Sequence, residues 1–372
     1  MALAVINIIG ALTSVVGVGL MIPSLLPDKD DKKTVVRVAA GLSMNEKDDT
    51  AGNQPGISLY DIMGRRIGRT AGHSTKIKDG DFMDIKVPFD HNVGKKPTEY
   101  ISVTNGGDDG LCIAYVALTQ PDGTKKAWFG DVGKKCGADW YHSQLKTGDN
   151  DHQPACIWID RDYSYGLRYQ GFGFHINDFA ATDERAQQYN DRNDLMCDAA
   201  PRFKMYEKMT DADYIPFFLP PLEYGQTTLT DVDPKAVLDK RRWVMPKAGP
   251  NINKALIDNT DKPKKARRVD PSDTSGSQNF NYVIISSSAC HSAKELCGSS
   301  VSRGPDFVSL EEQVFCDMDA KRTWPVCSTS KTDGCFDRTT STMKAGRGLR
   351  GRDVDTGLYV PQKSYEKTTH WN

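Results

Sequence analysis

The apolar runs of this chain are short, and nothing else in it constrains the fold as strongly. From residue 34 onward they are cut by Gly, Pro, Asn and Asp roughly every eight to fifteen residues, a spacing that fits short antiparallel strands and not a parallel α/β sheet. Strands are expected over 34–39, 57–63, 84–88, 99–103, 112–118, 125–129, 156–159 and 167–175. Pro121-Asp122-Gly123 is a turn whose proline presets φ and whose glycine accepts positive φ; Asn105-Gly106-Gly107 is another. The fold class that follows is mainly β, an antiparallel β-sandwich of jelly-roll type with an N-terminal hydrophobic helix and a few peripheral helices. Those helices are marked by Thr182 before Asp183 and Glu184, by Asp233 before Pro234, and by a capping box in which Ser309 stands three residues before Glu312.

Residues 2–27 carry no charged side chain. As a helix, the stretch to Ile22 spans about 31 Å at about 1.5 Å per residue, the thickness of a hydrocarbon core. Asn7, Gly10, Ser14 and Gly17 recur at steps of three and four, so small and polar residues share a stripe that a neighbouring helix can approach closely. A helix apolar on its other faces is buried in something: lipid, its own domain, or a bundle of identical helices in an oligomer. Residues 1–27 are read here as an assembly element, with a membrane anchor, an intradomain helix and a cleaved secretory signal as open alternatives. The rest reads as a sandwich domain over 34–246, a Pro- and Lys-rich linker or long loop over 247–278, a cysteine-rich segment over 279–335 and a tail over 336–372.

Nine cysteines, Cys112, Cys136, Cys156, Cys197, Cys290, Cys297, Cys316, Cys327 and Cys335, form no Cys-x-x-Cys pair. Zinc-ligand spacing is therefore missing and no metal site is expected. All nine are disulfide candidates, which places the chain outside the cell or at its surface. Four bridges leave one thiol over, and the pairing stays open. The 48 basic residues nearly cancel the 49 acidic ones, so no global field draws nucleic acid to the surface and no such partner is expected.

No nucleophile elbow, zinc-protease motif, P-loop or EF-hand loop is present. Gly346-Arg347-Gly348-Leu349-Arg350-Gly351 spells G-x-G-x-x-G, but a dinucleotide site needs a strand before it and a helix after it, and neither is expected here. No cofactor is expected. Aromatic residues are densest between residues 128 and 174. Within that stretch Trp128, Asp131, Asp139, Trp140 and Tyr141 are candidate glycan-binding residues, because a ring stacks on sugar C–H faces while a carboxylate accepts hydroxyl hydrogen bonds. Clustered rings also fill sandwich cores. Asp139 and Asp160 would serve glycoside hydrolysis only at the right separation in space.

Val5-Ile6-Asn7-Ile8-Ile9-Gly10, Met63-Gly64-Arg65-Arg66-Ile67-Gly68, Trp128-Phe129-Gly130-Asp131-Val132-Gly133, Cys136-Gly137-Ala138-Asp139-Trp140-Tyr141-His142 and Gly304-Pro305-Asp306-Phe307-Val308-Ser309 are blocks in which the chain resembles a family of uncharacterised proteins from ascomycete fungi. The resemblance implies a fungal source and no functional residue. The expected function is a non-enzymatic, self-assembling structural protein that forms an oligomer or filament, with copies of itself as partners. The alternative is a membrane-tethered, lectin-like module with membrane and glycan as partners.

Overall fold

The structure is a computed structural model that describes residues 25–44, 50–91, 93–147, 152–179, 182–209, 214–245, 281–348 and 351–372. The expected N-terminal helix up to residue 24, its stripe of Asn7, Gly10, Ser14 and Gly17, and the 247–278 linker lie outside the described residues. The chain divides into two compact units, Met1–Ser43 with Asp48–Asp273 and Met44–Lys47 with Thr274–Asn372.

In the first unit the strands are β1 (Thr34–Ala40), β2 (Gly52–Gln54), β3 (Gly56–Tyr60), β4 (Arg66–Thr70), β5 (His73–Ile77), β6 (Phe82–Val87), β7 (Tyr100–Thr104) and β8 (Leu111–Thr119). They continue as β9 (Lys125–Phe129), β10 (Trp140–Tyr141), β11 (Cys156–Ile159), β12 (Gly171–His175), β13 (Phe203–Tyr206), β14 (Phe217–Phe218) and β15 (Trp243–Val244). One sheet runs β10-β11-β8-β1-β6 with β9 also on β8; the other runs β13-β12-β7-β3-β4. Every pairing in both is antiparallel.

Strand β8 is buried along its whole length. One of its edges is taken by β1 and the other by β11 and then β9, so its unbroken apolar run is what a strand enclosed on all sides requires. The β8–β9 turn forms as its residues dictate: Gly123 has φ +91°, its N–H donates to the Gln120 carbonyl, and the Thr124 N–H donates to Asp122 Oδ1. In β1, Arg37 stands directly across from Asp84 of β6 and binds it through two hydrogen bonds of 2.7 and 2.8 Å. The two sheets meet through rings. Trp128 of β9 stacks on Phe174 and Phe203 and tilts against Phe172, with centroids 4.9–5.7 Å apart. Ahead of β1, Leu25 and Leu26 are buried and the Thr119 hydroxyl donates to the Pro27 carbonyl at 2.7 Å, so residues 25–27 are held against the first unit.

Helices α1 (Gly130–Lys135), α2 (Asp183–Asp191), α3 (Asn193–Cys197) and α4 (Pro234–Leu238) follow in this unit. Thr182 caps α2 and Asp233 caps α4, each by a side chain accepting a backbone N–H.

The second unit departs from the expected pattern. Its strands are β16 (Tyr282–Ser286), β17 (Asp306–Ser309), β18 (Val314–Asp317), β19 (Arg322–Pro325), β20 (Phe336–Asp337), β21 (Thr342–Met343) and β22 (Lys367–Trp371), with helix α5 (Ala293–Gly298) between β16 and β17. The sheet order is β19-β18-β17-β16-β22, and β16 pairs in parallel with both neighbours. Residues 336–372 are thus not a tail: β22 closes the sheet, and Phe336, Met343 and Tyr365 are in the core with Val308, Phe315 and Trp324. The capping box also fails as a helix start, because Gln313 has φ +54° and β18 begins at the next residue. Glu312 instead accepts from the Ser292 hydroxyl and the Lys294 N–H at the start of α5.

Eight cysteines pair as Cys112–Cys156, Cys136–Cys197, Cys297–Cys316 and Cys327–Cys335, and Cys290 is the exposed free thiol. Four disulfides point to an oxidising, secreted or extracellular setting.

Candidate functional site

The residues expected to bind glycan are all built into the first unit's interior, which corrects that assignment. Trp128 has no exposed surface, and Trp140 and Tyr141 of β10 are buried. Asp131, in the first turn of α1, meets His152 Nε2 at 3.1 Å and accepts the Ala155 N–H. Asp139 accepts from Arg168 Nε at 2.9 Å and from the Arg168 N–H at 2.8 Å. The physical reason is that aromatic density beside carboxylates is also what a β core closed by ion pairs contains.

One neighbouring loop does present rings to solvent. Asp160, just after β11, is fully buried; its Oδ2 accepts from the Ser164 hydroxyl at 2.8 Å while Oδ1 has no hydrogen-bond partner. Burial pushes its carboxyl up to about 6, the Ser164 hydroxyl pulls it back, and the Asp162 carboxyl adds to the rise. Partial burial would raise Asp162, but the Ser164 N–H and the Asp160 carboxyl together hold it below the usual range. Just after Asp162, Tyr163 (φ +64°) and Tyr165 (φ +56°) occupy the left-handed region and remain 37% and 54% exposed. Strain of this kind persists only where the surroundings enforce it. The signal in the sequence was Asp160-Arg161-Asp162-Tyr163-Ser164-Tyr165, where two rings flank a serine beside two acids.

A buried ionic network lies in the same unit. Asp178 faces Arg202 (Nε to Oδ2 3.0 Å), Arg185 (3.2 Å), His175 Nδ1 (2.9 Å) and the Tyr224 hydroxyl (2.6 Å). Arg202 also binds Asp231 at 2.6 and 3.0 Å, and Glu99 stands 3.5 Å from His175 Nε2. Burial alone would push the imidazole down; Asp178 and Glu99 override it and hold His175 above its ordinary value. Three acids therefore face three cations, and the network is consumed internally.

In the second unit Lys363 Nζ is seated among Asp306 Oδ2 (2.7 Å), Asp317 Oδ1 (2.7 Å) and Asp319 Oδ2 (3.0 Å). These three carboxylates are close enough to hold a cation together, and the ammonium supplies that charge. Lys363 also lines a groove of about 590 Å³ with Met343, Tyr359 and Gln362.

No family model and no curated protein matches the chain. Among solved structures, an engineered lipoxygenase variant aligns with 9% identity and a TM-score of 0.20, covering 45% of this chain. The chain spans only 27% of that protein's length, and a likeness at this level carries no argument. Among the described residues no helix is long and apolar enough to cross a membrane.

Proposed function

We propose that this chain is a non-enzymatic structural protein of the fungal surface or exterior, a jelly-roll-like sandwich with a second unit, that associates with copies of itself through residues 1–27. The observation that carries the reading is the uncharged stretch 2–27, joined to a body whose buried ionisable groups are largely paired with one another. An apolar surface of that size is not left in water. Contacts between identical subunits that do not close into a ring propagate as a filament. Sedimentation of the full chain without detergent tests this. Particles many-fold heavier than one chain are expected, with Gly10→Leu plus Ser14→Leu reducing them to small species; unchanged size in the double variant overturns the reading, and solubility only in detergent replaces it with a membrane anchor.

The exposed Tyr163 and Tyr165 beside Asp160 favour a second reading, a glycan-binding module at this loop in place of Trp128 and Trp140. On immobilised polysaccharides the wild-type chain is then retained, and Tyr163→Ala with Tyr165→Ala abolishes retention at an unchanged melting temperature. Equal retention of the double variant, or none by the wild type, removes this reading.

A further inference from the structure

We propose that the side chains of Lys363 and Asp306 condense into an intramolecular amide bond, with Asp317 as the proton-transfer group, which ties the segment entering β22 to β17. The inference does not rest on self-assembly, since it concerns one chain. Amide formation between these groups needs an amine in contact with a carboxyl, donors that polarise the carboxyl carbon, a base to move protons and a site shielded from water.

Each part is in place. Lys363 Nζ lies 2.7 Å from Asp306 Oδ2. The Met318 N–H donates to Asp306 Oδ1 at 2.6 Å, where an oxyanion would develop, and the Tyr365 hydroxyl donates to Oδ2, the oxygen that must leave. Asp317 Oδ1 is 2.7 Å from the same Nζ. Asp306 and Asp317 are buried and Tyr365 packs on Phe315 and Phe336 beside them, while the Lys363 side chain, 19% exposed, reaches the two carboxylates from the groove.

The step balances without a co-reactant. Lys363 gives a proton to Asp317, which passes it to Asp306 Oδ2; the freed amine attacks Cγ of the resulting acid, and the new C–N bond puts negative charge on Oδ1 against the Met318 N–H. Two of the three ammonium protons reach Oδ2 through Asp317, the Cγ–Oδ2 bond breaks, and one water leaves. Asp317 ends as it began, and one positive and one negative charge are consumed.

Burial pushes Asp306 upward, toward the acid form that is a competent electrophile, although Lys363 pulls the other way; Asp306 and Asp317 in turn outweigh burial and hold Lys363 above its ordinary value, so the amine is freed only by handing its proton to Asp317. A second lysine makes the control. Lys331 Nζ is 2.6 Å from both Asp353 and Asp355, yet Lys331 holds the Asp353 carboxyl at about 2 and Asp355 is exposed, so those groups stay an ion pair.

The intact mass of the full chain, denatured but unreduced, decides the matter. The expected mass is that of the sequence less the hydrogens of four disulfides and less one water, and a digest yields a branched peptide joining the Asp306 and Lys363 segments. Lys363→Arg keeps the charge and regains the water. A wild-type mass without the water loss overturns the proposal. So does a water loss that persists in Lys363→Arg, which belongs to another residue. If that variant fails to fold, the presence or absence of the branched wild-type peptide settles the outcome.

Discussion

Replacing Asp178 by Ala is expected to lower the free energy of unfolding by about 3–5 kcal/mol, the range for removing one partner from a buried ion pair. The loss comes less from the missing attraction than from the charges left behind. Arg202 keeps Asp231, but Arg185 loses its carboxylate partner and the His175 imidazole loses the group 2.9 Å from Nδ1. Both side chains are almost wholly buried and have no water to turn to. Equilibrium urea denaturation of the disulfide-intact chain measures it as a fall in the midpoint at constant slope. The penalty also depends on pH. Burial would raise Asp178, but Arg202, His175 and Arg185 hold it well below the usual range, so its contribution is present above the ordinary Asp value near 3.9 and is lost as pH falls through the native value. His175 is raised, so its contribution is present below about 6.5 and is lost as pH rises through its native value. The difference between wild type and Asp178→Ala should therefore be greatest between about pH 4 and 6.5. A loss under about 1 kcal/mol at pH 5 would mean that the network behaves as an exposed one.

That network shows why the sequence was legible in some places and silent in others. Strands over 125–129 and 156–159 were readable to the residue, because a β-branched or aromatic run bounded by Pro, Gly or Asp is a local signal. The caps at Thr182 and Asp233 were readable for the same reason. Arg185 and Arg202 look like solvated charges in the sequence, since nothing near either announces a carboxylate that only the fold brings to it. Strand β22, Lys-Thr-Thr-His-Trp, has the composition of a tail; it becomes a strand by pairing in parallel with β16, far earlier in the chain. Disulfide pairing was equally hidden. Cys112 and Cys156 meet because β8 and β11 are neighbours, and that adjacency is a property of the sheet.

Trp128 tests the ambiguity on which the sequence reading turned, since a ring beside a carboxylate suits both a sugar and a core. Trp128→Ala is expected to destabilise the first unit by about 3–5 kcal/mol, the range for removing a large buried ring. The ring bridges the two sheets by stacking on Phe174 and Phe203 and leaning on Phe172, so its removal opens a cavity that three aromatic neighbours cannot close without moving their strands. Trp128→Phe should lose much less, because it keeps a ring at the interface and removes an indole N–H that has no hydrogen-bond partner where it lies. Urea denaturation followed by near-ultraviolet circular dichroism separates the two variants. An alanine variant as stable as the wild type would mean that the sheets are held together elsewhere. A phenylalanine variant as damaged as the alanine one would mean that the indole N–H has a partner, most simply an ordered water, and that the polar edge of Trp128 contributes to the core along with its area.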